Sequence, residues 1–162
     1  MLNIGIVTVS DRSFSGERED LSGPAMRECL QPFAGHFEAR TVPDDQAKIA
    51  AVLRELADDC GCDFIFTSGG TGFAPRDVTP EATREVIEKD VPGIPEAIRA
   101  ESLKITPRAM LSRAVAGIRG KTLIVNLPGS PKAVRESLAV VLPILEHAAE
   151  TMSGKTLNCG KA

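Results

Sequence analysis

Two aspartates and a run of glycines hold the chemistry available to this chain. Asp44 follows an apolar, β-type segment, and Asp77 follows the turn Ser68-Gly69-Gly70-Thr71-Gly72. A glycine-rich turn after a strand presents backbone N–H groups, and the helix start beyond it adds a partial positive charge. Both suit phosphate. Carboxylates beside a polyphosphate repel it unless a divalent cation stands between them, and Mg2+ takes one or two carboxylates together with phosphate oxygens. Asp44 and Asp77 beside this loop therefore point to Mg2+-assisted phosphoryl or nucleotidyl transfer, with one or both of these carboxylates on the cation. Each acid also has a plainer reading. Asp44 can cap the helix that follows it, and Asp77 can pair with its neighbour Arg76.

Other polar segments stand beside this pair. Ser10, Asp11, Arg12, Ser15, Gly16 and Asp20 form a stretch after the first apolar run, and Pro128, Gly129 and Ser130 follow the last strand-like run. Arg12 is placed to stabilise developing phosphate charge. Thr79-Pro80, Thr106-Pro107 and Ser130-Pro131 each set a hydroxyl before a proline. That is the pattern of a helix start, where the hydroxyl accepts a backbone N–H and the proline needs no acceptor. The glycine loop fits neither common nucleotide motif. No Gly-Lys-Ser/Thr follows directly on Gly72, Gly120-Lys121-Thr122 and Gly154-Lys155-Thr156 lack the motif's leading glycine, and Pro75 stands where a dinucleotide fingerprint needs its third glycine. His36 and His147 lie far from these segments in sequence and are expected in surface or packing roles. No nucleophile–His–Asp arrangement of the usual kind is present.

The elements that must position these residues follow from hydrophobic pattern. Short apolar, β-branched runs at 2–9, 37–42, 64–67 and 122–127 read as strands, with a minor one at 113–118. A helix opens at Gly23-Pro24 and runs to about 30. Another follows Asp44 or Asp45, with Ile49, Val52, Leu53, Leu56 and Ala57 inward. Others are expected over 80–88, beyond the break at 92–95 to about 103, as a short turn from Pro107, and over 131–150 with a kink at Pro143. Residues 10–22 read as a polar loop. Strands apolar on both faces that alternate with helices predict an α/β three-layer sandwich, a mostly parallel central sheet covered by helices. Ligands bind at the carboxyl ends of such strands, where the turns above lie. Residues 1–150 are expected to form one domain and 151–162 a polar tail.

Composition narrows the function. The chain has 162 residues, 19 basic and 22 acidic, for a net charge of −3, which argues against a nucleic-acid partner. It has no Trp and no Tyr, so it offers few platforms for stacking bases. No apolar stretch approaches the ~18 residues of a membrane span, and no leader pattern opens the sequence, so a cytoplasmic protein without a membrane role is expected. Cys29, Cys60, Cys62 and Cys159 lack zinc spacing and read as free thiols. The 14 glycines and 11 prolines gather at the strand-to-helix turns.

Taken together, V-S-D-R at 9–12, V-P-D-D at 42–45, T-S-G-G-T-G at 67–72, R-D-V-T-P-E-A-T at 76–83, P-G-I-P-E at 92–96, L-S-R at 111–113 and N-L-P-G-S-P-K at 126–132 resemble the molybdopterin-binding family of molybdenum-cofactor biosynthesis. Thr71 followed by R-D-V-T-P resembles its adenylyltransferase branch, which is similar to the amino-terminal domain of gephyrin. The resemblance spans about residues 2–147. It implies a three-layer α/β domain, a homotrimer, and transfer of AMP from ATP to the terminal phosphate of molybdopterin with Mg2+, releasing pyrophosphate. The adenylylated product would then pass to a molybdate-insertion protein. It further implies that Asp44 and Asp77 support catalysis with Mg2+, and that the pocket is built from Ser10, Asp11, Arg12, Ser15, Gly16, Asp20, Ser68, Gly69, Gly70, Thr71, Gly72, Thr79, Pro80, Pro128, Gly129 and Ser130. A non-catalytic molybdopterin-binding module and an ADP-ribose pyrophosphatase are the alternative readings.

Overall fold

The computed structural model describes residues 1–154. It contains strands β1 (Leu2–Val9), β2 (Ala34–Val42), β3 (Phe64–Ser68), β4 (Lys89–Asp90), β5 (Ala116–Arg119) and β6 (Thr122–Leu127). Its helices are α1 (Asp11–Ser15), α2 (Ser22–Leu30), α3 (Gln46–Arg54), α4 (Thr79–Val86), α5 (Gly93–Leu103), α6 (Pro131–Val141) and α7 (Leu145–Met152). The strands form one sheet in the order β2-β1-β3-β6-β5-β4. The first four run parallel, and β5 and β4 join antiparallel.

Residue alternation explains the layers. In β3, Phe64 and Phe66 pack with Met26, Ile98, Val134 and Leu138 on one face, while Ile65 packs with Ile49, Leu53 and Ala82 on the other. β1 and β6 divide in the same way, with Ile4, Ile6, Leu123 and Val125 toward α2, α5 and α6, and Val7, Val9 and Ile124 toward α3 and α4. A strand buried on both faces needs a helix layer on each, so the three-layer expectation holds.

The antiparallel edge has a local cause. Arg119 pairs with Thr122, so only Gly120 and Lys121 separate β5 from β6, and Gly120 sits at φ 56°. A parallel pair needs a crossover of a dozen residues or more, which this turn cannot supply. β4 is too short and too exposed to leave a pattern in the sequence.

Several boundaries differ from expectation. The stretch 10–22 is not wholly loop. Ser10 accepts from the Ser13 N–H and Gly16 closes the turn at φ 82°, giving α1, which has no buried residue and hence no apolar signature. Pro95 does not precede α5 but lies within its first turn, because the orphan N–H groups there need no intrahelical acceptor. Pro143 does more than kink the last helix: Leu142–Ile144 becomes a 3-10 turn between α6 and α7. Thr151 and Met152 complete α7, while residues 155–162, including Cys159 and most of the expected tail, lie outside the described residues. Cys29, Cys60 and Cys62 are free thiols as expected, and burial pushes the Cys62 thiol up to about 12.

One buried side chain ties the sheet to the helices beneath the site. Asn126 donates to Thr67 Oγ1 at 3.0 Å and Thr83 Oγ1 at 2.9 Å, and accepts from the Val115 N–H at 3.2 Å. It thus links β3, β6, α4 and the segment entering β5. Asn126→Leu keeps the branched shape but strands these partners in a dry interior, so unfolding in urea should show a loss of roughly 2–4 kcal/mol.

Candidate active site

The register places four loops at one level. Val9 pairs with Val42, Thr8 with Ser68, and Ser68 with Leu127, so β1, β2, β3 and β6 end together. The chain leaves β1 for β2 on one side and reaches β3 on the other, which makes the carboxyl ends of β1 and β3 a topological switch point. The loops after these strands carry Ser10–Asp20, Asp44, the glycine run with Asp77, and Pro128–Ser130.

The glycine loop is packed where side chains do not fit. A Cβ on Gly69 would overlap the Val9 carbonyl oxygen, and Gly69 sits at φ 101°. A Cβ on Gly70 would overlap Thr79 Oγ1 and stand 3.3 Å from Asp44 Oδ1. At Gly72 the obstacle is Asp77 Oδ2, at 2.9 Å. The loop therefore lies against both acids because it lacks side chains. Thr79 is not the expected helix cap. Its hydroxyl donates to the Gly69 carbonyl at 2.9 Å and its N–H to the Gly70 carbonyl at 3.1 Å, so it ties the loop to α4, with buried Pro80 next in the chain. Ser130 and Thr106 do cap, accepting from the N–H groups of Ala133 and Arg108. Ser68 Oγ donates to the Pro128 carbonyl at 2.9 Å and Ser22 Oγ to the Gly129 carbonyl at 2.8 Å, which draws the β6 loop beside the glycines. The N–H groups of Gly70, Thr71, Gly72, Gly129 and Ser130 have no acceptor among the described residues.

Asp45, not Asp44, caps α3, accepting from the Lys48 N–H at 2.9 Å. That releases Asp44 for the site. Asp44 and Asp11 hold each other reciprocally: the Asp11 N–H donates to Asp44 Oδ2 at 3.1 Å and the Asp44 N–H to Asp11 Oδ1 at 2.8 Å. Arg76 does not pair with Asp77. It reaches Asp11 Oδ2 at 2.6 Å and bridges the loops after β1 and β3. Asp77 Oδ2 accepts from the Ala74 N–H at 2.9 Å. Each acid of the pair thus spends one oxygen on a backbone N–H, while Asp44 Oδ1 and Asp77 Oδ1 accept no hydrogen bond among the described residues. Burial raises the Asp44 pKa above the ordinary carboxylate value; the Asp11 N–H opposes the rise, and the Asp11 and Asp77 charges add to it. A cation at the free oxygens would relieve that repulsion. Among the described residues no three His, Cys, Asp or Glu side chains form an all-protein metal site.

The remaining expected residues divide. Ser10, Asp20, Ser68 and Gly129 line a polar cavity of about 160 Å³ with Arg18 and Ser22. Within it Asp20 has structural duties, accepting from the Ser22 and Gly23 N–H groups and from the Thr8 hydroxyl. Thr71, Gly72 and Pro128 line a second, mostly apolar cavity of about 270 Å³. Its far wall comes from Ile98, Arg99, Ser102, Thr106 and Arg108, of which the sequence marks only Thr106, and that as a helix cap, because they come from α5 and the turn after it. Arg12, Ser15 and Gly16 are exposed on α1 and line neither cavity.

Two outcomes follow from this geometry. Asp44 has a raised folded pKa, so its ionised form is disfavoured by folding, and the cost is present above the folded pKa and absent below the unfolded one. Asp44→Asn should therefore melt at a higher temperature than wild type at pH 7, with the difference closing at low pH; a lower melting temperature at pH 7 would contradict the burial argument. Gly69→Ala meets the Val9 carbonyl at a positive φ and should lose at least about 2 kcal/mol in denaturant unfolding.

Comparison with known proteins places this arrangement. Residues 5–147 match the family described as probable molybdopterin binding domain. The chain is 44% identical over 158 residues to the molybdopterin adenylyltransferase of Helicobacter pylori strain J99, covering 94% of this chain and 89% of that protein. It is 46% identical over 142 residues to the molybdopterin adenylyltransferase of Escherichia coli K12, covering 85% and 72%. The crystal structure of the molybdopterin biosynthesis enzyme MoaB from Thermus thermophilus superposes with a TM-score of 0.86 at 54% identity, covering 98% of this chain and all of that one. With its fold, its loop and its pair of acids accounted for, the chain belongs to the molybdopterin-binding domain family.

Proposed function

We propose that this protein is a molybdopterin adenylyltransferase, transferring AMP from ATP to the terminal phosphate of molybdopterin in molybdenum-cofactor biosynthesis. The observation that carries this reading is the pairing of Asp44 and Asp77, each with one unengaged oxygen, across a loop whose N–H groups have no acceptor among the described residues. Two phosphorylated substrates need such N–H groups, and two carboxylates beside phosphate need a cation. The relatives that bear the adenylyltransferase name support the substrates.

In this reading a terminal phosphate oxygen of molybdopterin attacks the α-phosphorus of ATP. The new phosphorus–oxygen bond forms as the bond to the β-phosphate oxygen breaks, and pyrophosphate leaves. Mg2+ held by Asp44 and Asp77 would offset the charge on the phosphates. The N–H groups of Gly70, Thr71, Gly72, Gly129 and Ser130 orient the phosphoryl oxygens, and the α6 start adds a favourable dipole. The apolar cavity bounded by Thr71, Pro128 and Ile98 suits a flat heterocycle and excludes water from one side. Phe14 and Phe73 are exposed, so ring binding rests mainly on backbone and small side chains. In the same reading the chain works as a homotrimer and passes its product to a molybdate-insertion protein. The exposed Leu103, Ile105, Met110 and Leu111 after and within α5 support contact with another subunit.

The test is incubation with molybdopterin, ATP and Mg2+, with mass detection of adenylylated molybdopterin. Asp77→Asn and Asp44→Asn should each cut product formation by at least about 100-fold while molybdopterin still binds. Tight molybdopterin binding without ATP consumption would identify a binding module instead. Hydrolysis of ADP-ribose without molybdopterin would identify a pyrophosphatase.

A further inference from the structure

Arg113, the last residue of the L-S-R segment, lies outside every role given so far. It enters from the strap between the 3-10 turn Pro107–Leu111 and β5, far in sequence from the glycine loop. Its Nε donates to the Gly72 carbonyl at 2.7 Å and its Nη2 to the Asp77 carbonyl at 2.7 Å. Its own N–H donates to the Thr71 carbonyl at 2.9 Å. The remaining edge of the guanidinium meets the Glu81 carboxylate in the first turn of α4, and this contact holds the Glu81 carboxyl below the usual carboxylate range.

This arrangement has a specific geometric effect. The loop bearing Asp77 is closed by the Asp77 N–H on the Ala74 carbonyl and by the Ala74 N–H on Asp77 Oδ2. Both contacts are internal to the loop; its link to the loop after β1 is the Arg76–Asp11 ion pair, which holds a side chain and not the backbone on either side of the turn. The guanidinium grips one carbonyl on each side of this turn, that of Gly72 two residues before Ala74 and that of Asp77 at its end, with a planar fork that has little freedom of its own. Glu81 supplies the countercharge and fixes the fork to α4. The strap is itself held from behind, since Arg99 Nη1 donates to the Ala114 carbonyl at 2.9 Å and the Ser112 carbonyl at 3.4 Å. Ser112 and Ala114, on either side of Arg113, line the apolar cavity.

We infer that Arg113, charge-balanced by Glu81, is the positioning residue for Asp77: it sets the distance and orientation of the Asp77 carboxylate relative to Asp44 across the glycine loop. This rests on the adenylyltransferase reading for its kinetic consequence, and on the hydrogen bonds alone for its structural one. A lysine at this position keeps the charge but reaches only one carbonyl at a time, so Asp77 loses its register while the substrate-facing N–H groups remain.

Two measurements test it. In Arg113→Lys, exchange of the Ala74, Asp77 and Thr79 amides should accelerate while exchange in β1 and β6 stays at wild-type protection. In the adenylyl-transfer assay, kcat should fall by about 10- to 100-fold with KM for ATP and molybdopterin within about 3-fold, as expected when a catalytic group is misplaced and substrate binding is intact. Glu81→Gln should move both readings in the same direction by less, and it decides the matter should Arg113→Lys fail to fold. Unchanged exchange at Ala74, Asp77 and Thr79, or an effect confined to KM, overturns the inference. If wild type transfers no AMP, the adenylyltransferase reading fails by itself and the exchange measurement alone judges Arg113.

Discussion

The close approach of the glycine loop to the strand ends is the constraint on which the site depends. Gly69 lies against the Val9 carbonyl, Gly70 against Asp44 and Thr79, and Gly72 against Asp77. Without side chains the backbone occupies the space between the two acids, and its N–H groups can face a ligand. Gly129 completes this surface, since a Cβ there would stand 3.5 Å from the Gly69 Cα. The parallel register makes this possible by ending β1, β2, β3 and β6 at the same height, so that loops distant in sequence share one floor.

Charge is managed by bracing rather than by pairing Asp44 and Asp77. Asp11 takes the Asp44 N–H and the Arg76 guanidinium, leaving Asp44 partly buried with a raised pKa and one free oxygen. Arg113 meets Asp77 at its backbone carbonyl, so the guanidinium leaves the carboxylate unpaired. Both arginines thus serve the acids without occupying them. Three carboxylates against one guanidinium leave excess negative charge at the site, which is what the proposed use of a cation requires.

Much of the fold was legible. The boundaries of β1 and β6 match the apolar runs at 2–9 and 122–127, because strands buried on both faces leave unbroken hydrophobic stretches. The glycine loop, Asp44 and Asp77 were marked by residue type alone. What escaped the sequence was short or non-local: α1 and β4 bury nothing that would give a period, and the wall of the apolar cavity comes from α5 and the turn after it. Thr79 carried the pattern of a cap but serves as a tie to Gly69, since a hydroxyl takes whichever partner the fold brings nearest.

By itself the sequence determined that this chain is an α/β sandwich with a phosphate-type loop and two acids near it. Apolar periodicity, glycine and proline are local signals, and they act through backbone conformation wherever they stand. Only the tertiary structure decided which of Asp44 and Asp45 caps α3, that Arg76 serves Asp11 instead of Asp77, and that Arg113 grips the loop from 36 residues beyond Asp77. Those choices depend on which polar groups converge when the strands align, and hydrogen-bond partners of that kind have no fixed spacing along a chain.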